Sequence, residues 1–193
     1  MKSKKYFSLF IFVVLFLNTS YVKAQDKETL KDYFESQEIA ELEKLTSIFD
    51  SVVQQKTFIK ELPLAYKEFL KKLAESKSPN EASAFYRFDF DVKDKVSPII
   101  FDKIWVFEKS YGYKVKDTII SLNINTNGEY IKYLNSKTKN IIIEKYYEGI
   151  MNSGGFSPSV TAWLQHDRHK LDFNDFDNRL IVAIHYLTLN DLK

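Results

Sequence analysis

The chain has 193 residues with 28 basic and 26 acidic side chains, 16% aromatic residues and no cysteine. The lack of cysteine excludes a disulfide framework, a thiol nucleophile and a lipid-modified cysteine. The nearly balanced charge gives no support to nucleic-acid binding, which requires a clearly basic surface.

The N-terminal 24 residues have the three parts of a secretory signal peptide. A basic start at residues 1–5 precedes an apolar run at residues 6–17, and the small residue Ala24 lies at the expected cleavage point. The run is shorter than the roughly 20 residues that a membrane-spanning helix needs. We therefore predict cleavage after Ala24 and a periplasmic or secreted protein; the alternative is an uncleaved N-terminal anchor.

Cleavage would change the electrostatic character of the protein. Residues 1–24 contain four lysines and no acid, so their removal changes the formal net charge from +2 to −2. No second apolar run approaches spanning length, and we expect the mature chain to be soluble, without a transmembrane segment. About 169 residues suit one domain, so we predict a single helical domain over residues 25–193, with a loop boundary near residues 76–84.

Helical periodicity dominates the N-terminal half. Within residues 26–55, apolar residues recur every three or four positions from Ile39 to Val53, and Ser36 is a candidate N-cap. Pro63 fits the first turn of the next helix, whose predicted buried face contains Tyr66, Phe69, Leu70 and Leu73. A further helix starts at Ser97-Pro98 and includes Trp105, and a polar loop with Tyr111-Gly112-Tyr113 follows it.

Two stretches leave the choice between strand and helix open. Residues 85–92 alternate apolar with charged side chains, which is typical of a short strand. Within residues 118–134, Ile120, Leu122 and Ile124 alternate as in a strand, and Asn127-Gly128 is a hairpin signal. The spacing after Gly128 fits a helix better. The predicted fold class is therefore mainly α, a compact multi-helix domain with a short strand or hairpin in one of these stretches.

The C-terminal part predicts three more helices. One covers residues 140–152 and stops at Gly154-Gly155, and the next starts at Ser157-Pro158. The last has Asp172 as predicted N-cap, and its interior, residues 180–184, is apolar all round. Such a helix belongs at the centre of a bundle.

The histidines do not form a recognisable metal motif. His166 and His169 lie three apart, but catalytic zinc normally has three protein ligands, and Arg168 between them would oppose a cation. We expect both to lie on a solvated helix end, and His185 to be a core residue with one hydrogen-bond partner. The acidic run at residues 172–178 lacks the glycine and the final glutamate of a calcium loop. We therefore predict no metal and no cofactor.

No catalytic motif is recognisable either. A Gly-x-Ser-x-Gly elbow, a phosphate-binding glycine loop and a Ser-x-x-Lys motif are all missing from the sequence. Paired carboxylates could hydrolyse glycosides, but spacing along the chain does not give their separation in space. We assign no catalytic residue and lean against an enzyme.

Exposed aromatic residues are the best candidates for binding. Tyr111 and Tyr113 flank a glycine, and Tyr146 and Tyr147 cannot both face inward on one helix. The alternative is that these rings only cover the surface. The predicted binding residues are Tyr111, Tyr113, Tyr146, Tyr147, His166, Arg168 and His169.

These observations favour a binding protein that acts on a protein partner in the cell envelope. An immunity protein or an inhibitor of an envelope enzyme fits the predicted location and fold. The alternatives are an envelope hydrolase acting on cell-wall glycan or peptide, and a carrier of a small ligand.

Overall fold

The computed structural model describes residues 29–112 and 117–190, with side chains described except at residues 29, 110–112 and 117. The predicted signal segment and Tyr113 lie outside this part of the chain. The described residues form eight α-helices and two strands: α1 (Ser36–Thr57), α2 (Leu62–Ala74), α3 (Pro79–Tyr86), α4 (Pro98–Ile104), β1 (Trp105–Gly112), β2 (Asp117–Ile124), α5 (Glu129–Ser136), α6 (Ile141–Ser153), α7 (Pro158–His166) and α8 (Phe176–Asn190).

Short 3₁₀ turns complete the described backbone, at Thr29–Asp32, Val92–Asp94 and Asp167–Lys170. Three helices begin with a serine N-cap followed by proline, at Ser78, Ser97 and Ser157. The serine side chain accepts from a backbone N–H in the first turn, and proline needs no N–H partner there. Within the described residues, no helix is long and apolar enough to cross a membrane.

Helix α8 is the centre of the fold. All nine residues from Leu180 to Thr188 are buried, and α8 packs against α1, α3 and β2. Around it, α1 packs on α2, α2 on α7, and α6 on both α5 and α7. The predicted mainly α fold with a buried C-terminal helix is confirmed, and so is the buried face of α2.

The two strands form an antiparallel hairpin whose base is in the core. Its register runs without a bulge from Trp105 paired with Ile124 to Gly112 paired with Asp117. Trp105, Leu122 and Ile124 are buried at the base, and the alternation predicted for β2 is confirmed. Towards the turn, Phe107 and Ile120 are exposed, so the outer half of the hairpin extends into solvent.

The partner of β2 in the hairpin is the segment before it, residues 105–112, and not the segment after Gly128. Trp105 was predicted to be helical and Tyr111 to lie in a loop, but both belong to β1. Asn127-Gly128 is not the hairpin turn: Gly128 is the N-cap of α5, and the predicted helix after it is confirmed. A Cβ atom at Gly128 would collide with the backbone carbonyl of Lys103. The glycine therefore serves a close approach of two chain segments.

Of the two stretches considered for a strand, residues 118–134 contain one and residues 85–92 do not. Helix α3 continues to Tyr86, and the extended segment after it has no partner strand in the described part of the chain. The Asn190 side chain makes the hydrogen bonds that a neighbouring strand would make. It accepts from Phe88 N at 3.1 Å and donates to the carbonyls of Phe88 and Phe90. One amide thus satisfies backbone groups that a ladder would otherwise pair.

Three boundaries also differ from prediction. The stretch at residues 76–84 is largely helical, because α3 starts at Pro79. Ser36 is the first residue of α1 and not its cap; Glu38 Oε2 accepts from Glu35 N at 2.8 Å instead. Helix α8 starts at Phe176, so Asp172 caps the preceding turn by accepting from Asn174 N at 3.0 Å.

Candidate functional site

A surface cleft of about 270 Å³ lies between α6 and α7. Its rim is polar and exposed, and its floor is formed by Gly149, Val160 and the partly buried Trp163. The rim residues have both signs of charge and two neutral hydrogen-bonding groups: Lys145, Glu148, Asn152 and Ser159.

The cleft depends on a close contact between the two helices. A Cβ atom at Gly149 would lie 2.9 Å from Val160 Cγ2, so a larger residue would push α6 and α7 apart. Gly154, at φ 69°, ends α6 in the left-handed conformation that favours glycine. Ser157 then caps α7. The reversal within four residues sets the cleft between two antiparallel helices.

A buried polar network fixes the floor from beneath. The His185 ring is fully buried, with Nδ1 3.3 Å from the Tyr146 hydroxyl and Nε2 3.0 Å from Thr161 Oγ1. The Phe156 ring lies 4.4 Å from the histidine ring, centroid to centroid. His185 is thus a core residue as predicted, but it has two hydrogen-bond partners and not one. These partners connect α6, α7 and α8.

The protons of this network can be assigned from its contacts. The Thr161 hydroxyl donates to Ser157 O at 3.2 Å, so its oxygen is left to accept from Nε2–H of His185. Nδ1 then accepts from the Tyr146 hydroxyl. Burial lowers the pKa of His185 to about 3 and raises the pKa of Tyr146 well above its usual range. Both side chains are therefore neutral at pH 7, and the network is structural.

The predicted residues at the end of α7 lie close to the cleft. His166 and His169 are exposed on a helix end, as expected. His169 Nδ1 lies 3.3 Å from His166 O, and Arg168 Nη1 donates to Gln165 O at 2.7 Å. These side chains satisfy carbonyls that the helix end leaves unpaired.

An ion pair closes the turn that follows α7. Asp167 Oδ1 lies 2.7 Å from Lys170 Nζ, and this hydrogen bond lowers the pKa of Asp167. The positive charge of Lys145, on the cleft rim, acts in the same direction.

The predicted tyrosines divide into three cases. Tyr146 is buried and hydrogen-bonded to His185, so it is not accessible to a partner. Tyr147 is partly buried and is the more accessible of the pair. Tyr111 is a residue of β1 paired with Thr118, and Tyr113 lies outside the described residues.

The base of the hairpin approaches the loop after α6. A Cβ atom at Gly155 would collide with the side chain of Asn123 in β2. Asn123 in turn donates to Glu108 across the ladder at 2.9 Å. The loop between α6 and α7 therefore lies against the base of the hairpin, whereas Tyr111 is five residues further along β1.

Trp163 is the site residue that sequence reasoning missed. The spacing of Val160, Trp163 and Leu164 predicts that all three face inward on α7, and Val160 and Leu164 are buried. Trp163 is only partly buried, and its ring centroid lies 6.3 Å from that of Tyr146. Gly149 in the middle of α6 was the available signal, since a glycine inside a helix often marks close packing.

No metal cluster is present in the described ranges: no three His, Asp or Glu side chains are grouped as ligands there. Comparison of the chain with protein-family models, with curated proteins and with solved structures finds no significant match.

Proposed function

We propose that the protein is exported and acts by binding a protein partner of the cell envelope through the cleft between α6 and α7. The observation that supports this proposal is that a partly exposed tryptophan, Trp163, and charges of both signs line the same cleft. Tryptophan and arginine anchors supply much of the affinity in protein interfaces. Trp163 is the proposed anchor, with Arg168, His166 and His169 at the polar edge.

The size of the cleft favours a protein contact over an enclosed small ligand. Pockets for small molecules usually have volumes of roughly 300 to 1,000 Å³ and bury most of the ligand. This cleft has about 270 Å³ and an exposed polar rim. A side chain projecting from a partner would fit such a space, with the rim residues around it.

The buried ionisable groups support binding over catalysis. His185 is neutral and fully buried, so it cannot exchange protons with a substrate in the cleft. Burial raises the pKa of Asp50, but its carboxylate accepts from the Tyr66 hydroxyl at 2.7 Å and pairs with Arg179 at 3.5 Å. Asp50 thus connects α1 to α2 and α8, as His185 connects α8 to α6 and α7, and both groups have a structural role.

The test is affinity capture from envelope extract with the wild-type protein as bait. We expect recovery of one protein partner at stoichiometric yield, and an immunity or inhibitor role predicts that this partner is an enzyme that loses activity when bound. Lys145→Glu and Trp163→Ala should weaken capture by at least about tenfold. Lys44→Glu, at an exposed position of α1, is the matched control and should bind like the wild type.

A different outcome would favour the hydrolase. If no partner is retained and the purified protein releases products from cell wall, the binding function is wrong. Trp163 also packs on the core, so its substitution could disturb the fold. Circular dichroism therefore has to show that each variant remains folded before a loss of capture is assigned to the cleft.

A further inference from the structure

We propose that Asn127 is a deamidation site that the turn between β2 and α5 keeps unreactive in the folded protein. Conversion to aspartate or isoaspartate therefore occurs in molecules in which this turn, residues 125–128, has opened. The inference starts from the Asn127-Gly128 motif, which lies at the start of α5 and not in the hairpin turn. It does not depend on the function proposed for the cleft.

The chemistry follows from the residue pair. The backbone nitrogen of the glycine loses its proton and attacks Cγ of the asparagine side chain; the amide group takes up a proton and leaves as ammonia. The cyclic succinimide then adds a water molecule and opens to aspartate or isoaspartate. Glycine favours the attack because no Cβ atom hinders the approach to its nitrogen. Asn127-Gly128 is the only Asn-Gly pair in the sequence.

The first observation is that Asn127 is exposed, whereas the nitrogen that must attack it is held. The Gly128 N–H donates to Asn125 O at 2.9 Å, and Gly128 is buried. A hydrogen-bonded amide gives up its proton to base only when the structure around it opens, as in amide hydrogen exchange. The side chain that would react is therefore accessible to solvent, but its nucleophile is protected.

The second observation is that Asn125 fixes this turn with three further hydrogen bonds. Its backbone N–H donates to Ile104 O at 2.8 Å, and its side-chain Nδ2 donates to Asp102 O at 2.8 Å. Its Oδ1 accepts from Asn127 N at 3.1 Å. The first two bonds join the turn to the end of α4. Opening the turn enough to free the Gly128 nitrogen therefore breaks several contacts at once.

The third observation concerns the product. Isoaspartate at position 127 adds a methylene group to the backbone immediately before Gly128. Gly128 has no room to move, because a Cβ atom there would already collide with the carbonyl of Lys103. Its own carbonyl accepts from Lys132 N in the first turn of α5. The longer backbone cannot keep all these contacts, so isoaspartate prevents the turn from closing again and marks the molecule permanently.

Peptide mapping by mass spectrometry tests this inference on the full chain, incubated either folded or unfolded in guanidinium chloride at the same mildly alkaline pH. We expect conversion at Asn127 to be at least about tenfold slower in the folded protein. Asn125→Ala removes both side-chain bonds of the turn, so it should raise the rate in the folded protein and leave the unfolded rate unchanged. Asn80→Ala, at an exposed position of α3, is the matched control and should convert like the wild type.

Amide hydrogen exchange at Gly128 connects the reaction to opening of the turn. Asn125→Ala should lower the protection of this amide by the same factor by which it raises conversion at Asn127. Equal conversion rates in the folded and unfolded wild type overturn the proposal, and this comparison requires no variant to fold. So does an unfolded chain that shows no conversion at Asn127, or an Asn125→Ala variant whose Gly128 amide loses protection without faster conversion.

Discussion

Trp105 Nε1 donates a hydrogen bond to Thr188 Oγ1 at 2.7 Å, which joins the first residue of β1 to the buried helix α8. The Thr188 hydroxyl donates in turn to Ile184 O, also at 2.7 Å. The indole N–H and the threonine O–H therefore both donate a hydrogen bond. The contact anchors the hairpin base although most of the hairpin is exposed.

Removing either member of this pair should lower stability. Trp105→Phe deletes the donor and leaves space, and Thr188→Val leaves the indole N–H buried without an acceptor; each should cost about 1 to 3 kcal/mol of unfolding free energy. Urea denaturation of both single variants and the double variant measures this. The double variant should lose less than the sum of the two, and strict additivity would contradict a direct interaction.

The interior of α8 should not tolerate a charge. Ile184→Asp would place an unpaired carboxylate at a position with 0% exposure, at a cost comparable to the roughly 5 to 15 kcal/mol that stabilises a whole domain. We expect an unfolded or molten protein by near-UV circular dichroism. Ile141→Asp, at an exposed position, is the control and should fold normally.

His185 should make stability depend on pH below 6.5. Its folded pKa is about 3 because of burial, whereas the unfolded chain has the ordinary value of 6.5. Between these values the unfolded state binds more protons, so stability is complete above pH 6.5 and falls as pH decreases. From pH 7 to pH 5 the loss should be about 2 kcal/mol.

The control for this pH effect is His185→Gln, which has no titrating group. This variant should be less stable at pH 7 because both ring contacts change, yet its stability should vary little between pH 7 and pH 5. An equally steep pH dependence in the variant would show that other groups are responsible.

The stabilisation from the Glu38–Lys103 pair should be lost only in acid, at lower pH than that from His185. Both carboxylate oxygens of Glu38 lie 2.7 Å from Lys103 Nζ. Burial of Glu38 acts to raise its pKa, but the bonds from Lys103 and the Glu35 N–H outweigh it and hold the pKa below the ordinary 4.5. Its contribution is therefore present above about pH 4.5 and lost as pH falls through the lower folded value.

Glu38→Gln should reduce the unfolding free energy by about 1 kcal/mol at pH 7, and the difference from wild type should shrink in acid. Glu129→Gln is the matched control. Glu129 pairs with Lys132 at 2.7 Å, but the Glu129 and Lys132 side chains are 32% and 55% exposed, against 10% and 27% for Glu38 and Lys103, so its loss should have a smaller effect. Equal effects of the two substitutions would contradict the role of burial.

Phe58 is a position where a substitution should stabilise the protein. It follows α1 in the left-handed conformation, with φ 60°, and its side chain is 93% exposed. Glycine adopts this conformation without strain, so Phe58→Gly should gain about 0.5 to 1 kcal/mol in thermal unfolding. Phe58→Ala retains the Cβ atom and should gain nothing; an equal gain would point to the exposed ring and not to the backbone.

Several features were predictable because they depend on neighbours along the chain. The buried face of α2, the alternation in β2 and the wholly apolar interior of α8 follow from side-chain periodicity, and the fold class follows from them. The exposed position of His166 and His169 followed from the end of a helical pattern. In each case the local pattern and the final environment agree.

Other features depend on tertiary structure. They are the formation of strand β1, the position of the cleft, and the choice of which residue in the Tyr146–Tyr147 pair is accessible. Trp105 belongs to a strand because β2 pairs with it and α8 bonds its indole. Trp163 lines a cleft because Gly149 lets α6 approach α7. Such contacts join residues far apart in sequence, and their free energy outweighs the small differences in local propensity between helix and strand. The sequence alone determined which surfaces were apolar, whereas packing decided which of them met.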